Sequence, residues 1–169
     1  MAKRIIAIGG VPATGKTTLM RKVIKTLLPL KTFKYGLLRG LYNIDKKVYI
    51  MGIYDKSLFS GTDKLSMAVQ PDFIRFAKKI PQDNIIFEGD RLFNQSLFDK
   101  LKCEIIVIKA KPELIKQRHE LRNDTQTEKF KKAKQTKINN IIENNNVIEF
   151  ENNNEDDTKI ITEHILNLI

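Results

Sequence analysis

Cysteine, histidine and long apolar runs are all scarce in this sequence of 169 residues. The single cysteine, Cys103, cannot form a disulfide within the chain, which favours a reducing compartment such as the cytoplasm. The two histidines are isolated, and no cysteine or histidine set has the spacing of a zinc site. No apolar run approaches the ~20 residues needed to cross a bilayer, and residues 5–8 are too few for a signal peptide. These absences predict a cytoplasmic protein without a membrane partner.

The charge is distributed unevenly along the chain. The formal net charge is +10, but residues 138–169 contain seven acids and one lysine, a net charge of −6. Residues 1–137 therefore carry +16. Such an excess suits a polyanionic partner such as nucleic acid, and a solvated lysine-rich surface would explain it equally well.

Short apolar segments alternate with stretches of helical periodicity. The apolar runs predict buried strands over 4–8, 84–87, 104–108 and 147–150. Helical spacing predicts helices over 17–28, 73–80, 94–101, 127–140 and 158–168, with another starting at 111. Residues 33–38 and 48–54 predict a hairpin around 43–47. The order predicts one three-layer α/β domain over residues 1–169, with a mainly parallel central sheet of about five strands.

Residues 10–17, GVPATGKT, match the pattern G-x-x-x-x-G-K-[ST] in full. Glycines let the backbone bring its N–H groups close to phosphate oxygens, and the following helix points its positive end at the same place. Lys16 can then reach the β- and γ-phosphates, and the Thr17 hydroxyl can ligate Mg²⁺. The motif predicts a P-loop fold of the nucleotide-kinase type that uses ATP and Mg²⁺. The predicted nucleotide-binding residues are Gly10, Val11, Pro12, Ala13, Thr14, Gly15, Lys16, Thr17 and Thr18.

A P-loop enzyme also needs an acid at the end of a neighbouring strand to hold Mg²⁺ or its waters. Glu88 directly follows the apolar strand 84–87, at the sheet edge where ligands bind. Thr17 and Glu88 are therefore the predicted metal-binding residues, with Asp90 as the alternative to Glu88.

Phosphoryl transfer to an alcohol requires an acid that takes the hydroxyl proton and cations that neutralise the transition state. Asp63 lies in a polar turn after an apolar segment and is the predicted base, with Asp55 and Asp90 as alternatives. The residues predicted to contact the acceptor are Asp55, Asp90 and Arg91. The predicted catalytic set is Lys16, Asp63, Arg118 and Arg122.

Arg118 and Arg122 are four residues apart on one predicted helix and so share a face. They precede the polar break at 123–126, which is typical of a lid that closes over ATP and brings arginines to the phosphoryl group. We predict a helical lid over 111–140; a solvated helix face is the alternative. The basic segment 127–140 could follow a nucleic-acid backbone, although Phe130 is its only aromatic residue.

Together, the phosphate motif, residues 85–90 and the two lid arginines resemble the nucleotide and polynucleotide kinase group of P-loop proteins. More narrowly, the segments 52–55 (GIYD), 61–71 (GTDKLSMAVQP) and 87–91 (FEGDR) resemble phage-encoded P-loop kinases. Some of these phosphorylate 5-hydroxymethyluracil in DNA, and such kinases often show Arg where this chain has Lys64. The resemblance implies ATP as phosphoryl donor, DNA or a nucleotide as acceptor, and the cytoplasm of a phage host as location.

Three hypotheses follow from the sequence. The first is a kinase that phosphorylates a hydroxyl of a nucleic acid component. In its most specific form, this hypothesis names the hydroxymethyl group of a DNA base as the acceptor. The second is a kinase for a small molecule such as a nucleotide or nucleoside. The third is a nucleotide-binding switch or interaction protein with negligible transfer. The acceptor and the oligomeric state stay open.

Overall fold

The structure, a computed structural model, describes residues 2–169. Within this range the strands are β1 (Ile5–Gly9), β2 (Lys31–Tyr35), β3 (Leu38–Asn43), β4 (Val48–Met51), β5 (Asn84–Glu88), β6 (Glu104–Lys109) and β7 (Val147–Glu151). They form one sheet in the order β2-β3-β4-β5-β1-β6-β7. The strands from β4 to β7 in this order pair in parallel, whereas β2 and β3 extend the sheet as antiparallel strands.

Six α-helices connect or follow the strands in the described part of the chain. They are α1 (Lys16–Thr26), α2 (Gln70–Lys79), α3 (Gln95–Phe98), α4 (Pro112–Leu121), α5 (Glu128–Asn144) and α6 (Glu155–Asn167). A short 3₁₀ turn, Thr62–Lys64, precedes α2. None of the helices in residues 2–169 is long and apolar enough to cross a membrane.

Both faces of the sheet are covered, because successive side chains of each central strand point to opposite faces. In β1, Ile5 and Ala7 pack with apolar residues of α2, α3 and α5. Ile6 and Ile8 pack on the other face with apolar residues of α1 and α6. The layers are therefore helix, sheet and helix, which confirms the predicted α/β fold with a mostly parallel sheet.

The predicted number of strands was wrong: the sheet has seven strands rather than about five. Residues 33–38 predicted one strand, but the chain turns at Gly36, whose φ of 55° favours glycine. The Asp72 carboxylate on α2 stabilises this turn by accepting a hydrogen bond from the Leu37 N–H at 2.7 Å. As a result, β3 pairs with β2 on one side and with β4 on the other.

The central strands direct two connections to one edge of the sheet. β1 ends at Gly9, immediately before the phosphate motif, and β5 ends at Glu88. The two strands pair in parallel, with Ile8 opposite Glu88. Because parallel strands present their carboxyl ends at the same edge, the phosphate motif and this acid must lie together.

Candidate active site

The phosphate loop, residues 10–17, connects β1 to α1. Its backbone has a positive φ at three positions, a conformation that residues with a side chain rarely adopt. Gly10 and Gly15 have φ values of 147° and 87°, and Ala13 has φ 67°. A Cβ atom on Gly10 would lie 2.3 Å from the Ile108 carbonyl oxygen, so only glycine fits there. Gly15 is the N-cap of α1, and no side chain caps this helix end. Uncapped N–H groups at a helix end of this kind can bind anions such as phosphates.

The Lys16 ammonium group lies within this loop. Its Nζ donates hydrogen bonds to the Gly10 and Val11 carbonyl oxygens, both at 2.9 Å. Burial lowers the pKa of Lys16, and the negative charges of Glu88, Asp90 and Asp63 oppose this effect. Lys16 thus lies within the field of three acids at the carboxyl edge of the sheet, where it can exchange its carbonyl partners for phosphate oxygens.

Glu88 is 2% exposed and lies beside the start of α1. Its Oε1 accepts hydrogen bonds from the Thr17 hydroxyl at 3.3 Å and from the Tyr54 hydroxyl at 3.5 Å. Burial raises the pKa of Glu88 to about 7; the Lys16 charge lowers it and the Asp63 charge raises it. Burial also raises the pKa of Tyr54 well above its usual range, so this phenol stays a donor. The predicted pair of Thr17 and Glu88 is therefore in direct contact.

The Thr17 hydroxyl and the Glu88 carboxylate fit a magnesium ion. Both present oxygen atoms, the ligands that Mg²⁺ prefers. Within residues 2–169 no group of three or more histidines, cysteines or acids lies close enough to hold a metal by itself. In phosphoryl-transfer proteins, phosphates and waters supply most of the ligands of Mg²⁺.

The 3₁₀ turn Thr62–Lys64 brings Asp63 to the same edge of the sheet. The Thr62 hydroxyl donates to the Glu88 carbonyl oxygen at 2.8 Å, which fixes the turn against the end of β5. Gly89, with φ 112°, makes this approach possible: a Cβ atom there would lie 2.7 Å from the Thr62 hydroxyl and 3.1 Å from Asp63 Oδ1. Glycine at position 89 thus allows the end of β5 to pack closely against the turn Thr62–Lys64.

A cleft of about 350 Å³ opens over the phosphate loop. Predicted site residues lining it, besides the loop, are Asp63, Glu88, Asp90, Arg91 and Arg122. Phe59 and Phe130 line it as well, and both are largely exposed. The cleft therefore joins the backbone of the loop to three carboxylates, two arginines and aromatic surface.

Asp90 is bound by lysines of α5. Lys134 donates a hydrogen bond to its carboxylate, and Lys137 contacts the other oxygen at 3.5 Å. Burial by itself would raise the pKa of Asp90, but the lysine contacts outweigh it and hold the pKa below its usual range. Asp90 is thus an ionised carboxylate with two cationic partners, whereas Asp63 has no ion-pair partner among the described residues.

Five predicted site residues do not line the cleft: Val11, Thr14 and Thr18 in or next to the phosphate loop, and Asp55 and Arg118 outside it. The Asp55 carboxylate pairs with Lys64 and accepts a hydrogen bond from the Ser57 hydroxyl at 2.6 Å, which holds its pKa well below the usual range. Arg118 donates to the carbonyl oxygens of Ala13 and Asn152, at 3.2 and 3.1 Å. The structure therefore separates Arg118 from Arg122, although they share a helical face.

The sequence analysis missed three sets of residues that shape the site. Arg21 on α1 holds the segment 55–60 by donating to the Asp55 and Ser57 carbonyl oxygens, at 2.8 and 3.0 Å. His119, which is buried, pairs with Asp124 at 2.9 Å and fixes the turn after Arg122. Asn152, also buried, contacts the phosphate loop. Only the run of three asparagines after β7 gave any signal in the sequence, because the other contacts join residues with no common motif.

Neither a protein-family model nor a curated protein matches the sequence. Among solved structures, the fold is similar to the unliganded crystal structure of a sugar kinase from Janibacter sp. HTCC2649. The TM-score is 0.54 at 12% identity, covering 98% of this chain and 93% of that one. At this identity the similarity concerns the fold alone.

Two further similarities are weaker. One is to a gluconokinase from Sinorhizobium meliloti 1021, with a TM-score of 0.43, 10% identity, and 98% and 97% of the two chains covered. The other is to an uncharacterized protein from Eubacterium ventriosum ATCC 27560, with a TM-score of 0.44, 12% identity, and 99% and 98% covered.

Proposed function

We propose that this protein is an ATP-dependent P-loop kinase that phosphorylates a hydroxyl group of an acceptor bound in the cleft. The observation that carries the proposal is the shared cleft itself: the phosphate loop, the Glu88 carboxylate and Asp63 line one space. A nucleotide-binding protein without transfer needs an acid such as Glu88 for Mg²⁺ but no second carboxylate for an acceptor hydroxyl. A kinase needs one for the acceptor hydroxyl.

The reaction follows from this arrangement. Backbone N–H groups of the loop bind the phosphates of ATP, and Lys16 binds oxygens of the β- and γ-phosphates, on either side of the P–O bond that breaks. The acceptor oxygen forms a bond to the γ-phosphorus, the bond between that phosphorus and the bridging oxygen of ADP breaks, and the hydroxyl proton passes to Asp63. Arg122 lies at the cleft to neutralise the transferred phosphoryl group. Bound Mg²⁺, held by Thr17 and Glu88, would neutralise charge on the phosphates.

A small acceptor is favoured by the size of the cleft. A volume of about 350 Å³ lies at the lower end of the range for small-molecule sites, about 300–1,000 Å³. Part of this volume belongs to the phosphates of ATP. The similarity of the fold to a sugar kinase is compatible with this class of acceptor.

A nucleic-acid acceptor is the second candidate, and its most specific form is 5-hydroxymethyluracil in DNA. Phe59 and Phe130 offer aromatic surface at the cleft, and Lys129 and Lys132 are exposed on α5, the helix that carries Phe130. Bases stack on aromatic rings and phosphates attract lysines. A base within a duplex would have to flip out to reach Asp63.

The test is a transfer assay with γ-labelled ATP and Mg²⁺. Acceptors would be a panel of sugars, nucleosides and nucleotides, together with hydroxymethyluracil-containing DNA and matched unmodified DNA. Wild-type protein is expected to label one class, and Lys16→Ala to reduce that transfer by at least about 100-fold. ATP binding by the wild type with no labelled acceptor, and equal slow hydrolysis by both proteins, would instead identify a nucleotide-dependent switch.

A further inference from the structure

The loop after β7 contacts the back of the phosphate loop through a single buried side chain. Asn152 is 3% exposed and its backbone N–H donates to the Lys109 carbonyl oxygen at 2.7 Å, which anchors it at the end of β6. Its Nδ2 donates to the Thr14 carbonyl oxygen at 2.9 Å. The contact joins residues 138 positions apart in the sequence.

Arg118 holds the neighbouring peptide group of the phosphate loop. Its Nη1 donates to the Ala13 carbonyl oxygen at 3.2 Å and its Nη2 donates to the Asn152 carbonyl oxygen at 3.1 Å. Two successive carbonyl groups of the loop are therefore each fixed by one donor, and the two donor residues are bonded to each other. We name this pair, Arg118 and Asn152, the carbonyl clamp.

Fixing a carbonyl group also fixes the N–H group of the same peptide unit. The peptide is planar and trans, so its C=O and N–H point in opposite directions. When the clamp holds the Ala13 and Thr14 oxygens at the back of the loop, the N–H groups of Thr14 and Gly15 point away from the clamp. Within residues 2–169, neither N–H donates a hydrogen bond to another protein group.

The close approach of Asn152 also explains the requirement for glycine at position 15. A Cβ atom on Gly15 would lie 2.6 Å from Asn152 Nδ2. The φ of 87° at Gly15 is a second reason, because residues with a side chain rarely adopt this backbone conformation. The clamp and the second glycine of the motif thus form one arrangement.

We infer that the carbonyl clamp preorganises the phosphate loop, so that Arg118 and Asn152 are positioning residues for the polyphosphate of the nucleotide. The inference rests on the proposed function only in taking a nucleotide polyphosphate as the ligand of the loop. It gives Arg118 a role at the back of the loop and leaves Arg122, which lines the cleft, to face the transferred group. Preorganised N–H donors bind an anion without the cost of ordering the loop first.

Thr158 sets the orientation of the Asn152 amide. Its hydroxyl donates to Asn152 Oδ1 at 2.6 Å, which leaves Nδ2 facing the Thr14 carbonyl oxygen. Thr162, one turn further along α6, donates its hydroxyl to the Thr158 carbonyl oxygen at 2.7 Å. Both hydroxyls are buried, but only that of Thr158 contacts the clamp, so the two residues form a matched pair for mutation.

The experiment measures ADP affinity by titration calorimetry, together with the melting temperature of each variant. Asn152→Ala and Arg118→Met are each expected to weaken ADP binding about tenfold, as expected for the loss of one orienting hydrogen bond. Thr158→Val should weaken it by a smaller factor, whereas the control Thr162→Val should lower the melting temperature without changing ADP affinity. A merely structural role for the clamp would move only the melting temperature.

The outcomes separate this inference from the proposed function. If wild-type protein binds ADP but labels no acceptor, the kinase proposal fails and the clamp is still tested by the affinities. If Asn152→Ala, Arg118→Met and Thr158→Val all bind ADP as the wild type does, the clamp is overturned. If Asn152→Ala does not fold, the ADP affinities of Arg118→Met, at a half-buried position, and of Thr158→Val decide whether the clamp acts as inferred. Wild-type protein that does not bind ADP would overturn both proposals.

Discussion

At the scale of single residues, burial gives Glu88 an unusual dependence on pH. Its pKa is about 7 in the folded protein, against 4.5 for an unperturbed glutamate. Folding therefore favours the protonated carboxyl group, so its contribution to the free energy of unfolding is fully present below pH 4.5 and is lost as pH rises through 7. The loss amounts to about 3 kcal/mol at most. Urea denaturation without divalent metal, from about pH 5 to pH 8, should show it.

Glu88→Gln provides the comparison, because glutamine keeps the shape and removes the titration. The variant should lack the decrease in the free energy of unfolding over this interval. Asp55, Asp90 and Glu155 have lowered pKa values, so they lose their stabilising contribution only as pH falls below the ordinary carboxyl range. Equal slopes for wild type and variant would show that Glu88 is not the residue responsible.

The choice between Asp63 and Asp55 as general base also belongs to the residue scale. Asp63 lines the cleft and the Asp55 carboxylate is paired with Lys64 outside it. Asp63→Asn should lower kcat by about 100-fold or more, since a positioned base contributes at least that much, with little change in ATP affinity. Asp55→Asn should retain most of the turnover. The reverse order of kcat values in a steady-state assay would assign the base to Asp55.

At the scale of elements, Asp90 anchors the first half of α5 over the cleft. Ile138 and Ile141 bury the second half in the core, whereas Lys134 and Lys137 bind the Asp90 carboxylate. Asp90→Asn should cost about 1 kcal/mol of local stability, or roughly a fivefold increase in amide hydrogen exchange over 128–137. Exchange over 138–144 should change little.

Lys132→Gln is the control for this experiment, because Lys132 is exposed on the same helix. Amide hydrogen exchange over 128–137 in this variant should match that of the wild type. Unchanged exchange in Asp90→Asn would mean that packing alone fixes α5. The lid over 111–140 stays a prediction; closing it would require α5 to exchange this electrostatic contact for contacts to a bound ligand.

At the scale of the whole molecule, the positive charge of residues 1–137 distinguishes the two candidate acceptors. A polyanion releases counterions when it binds lysines, so transfer to a nucleic acid should fall steeply between about 50 and 200 mM salt. Transfer to a small acceptor should change by less than about twofold. Initial rates at several salt concentrations make the distinction.

A double variant tests whether α5 takes part in such an interaction. Lys129→Gln with Lys132→Gln should reduce the salt dependence for a nucleic-acid acceptor by about two counterions. Lys46→Gln with Lys47→Gln removes the same charge from the exposed β3–β4 loop at the opposite edge of the sheet. An equal effect of both double variants would show that the charge acts non-specifically.

The sequence by itself determined the phosphate loop, most strands and helices, and the position of Glu88 at the end of β5. These features are encoded locally. The eight contiguous residues 10–17 determine the backbone conformation of the phosphate loop, and the length and flanking residues of each apolar run determine whether it forms a strand or a helix. Only the tertiary structure decided that Asp63 faces the cleft, that Asp90 is bound by lysines of α5, and that β2 and β3 are separate strands. It also brought Asn152 to Thr14, 138 residues away. Parallel strands gather distant chain segments at one edge of the sheet, and no spacing in the sequence states which side chains will meet there.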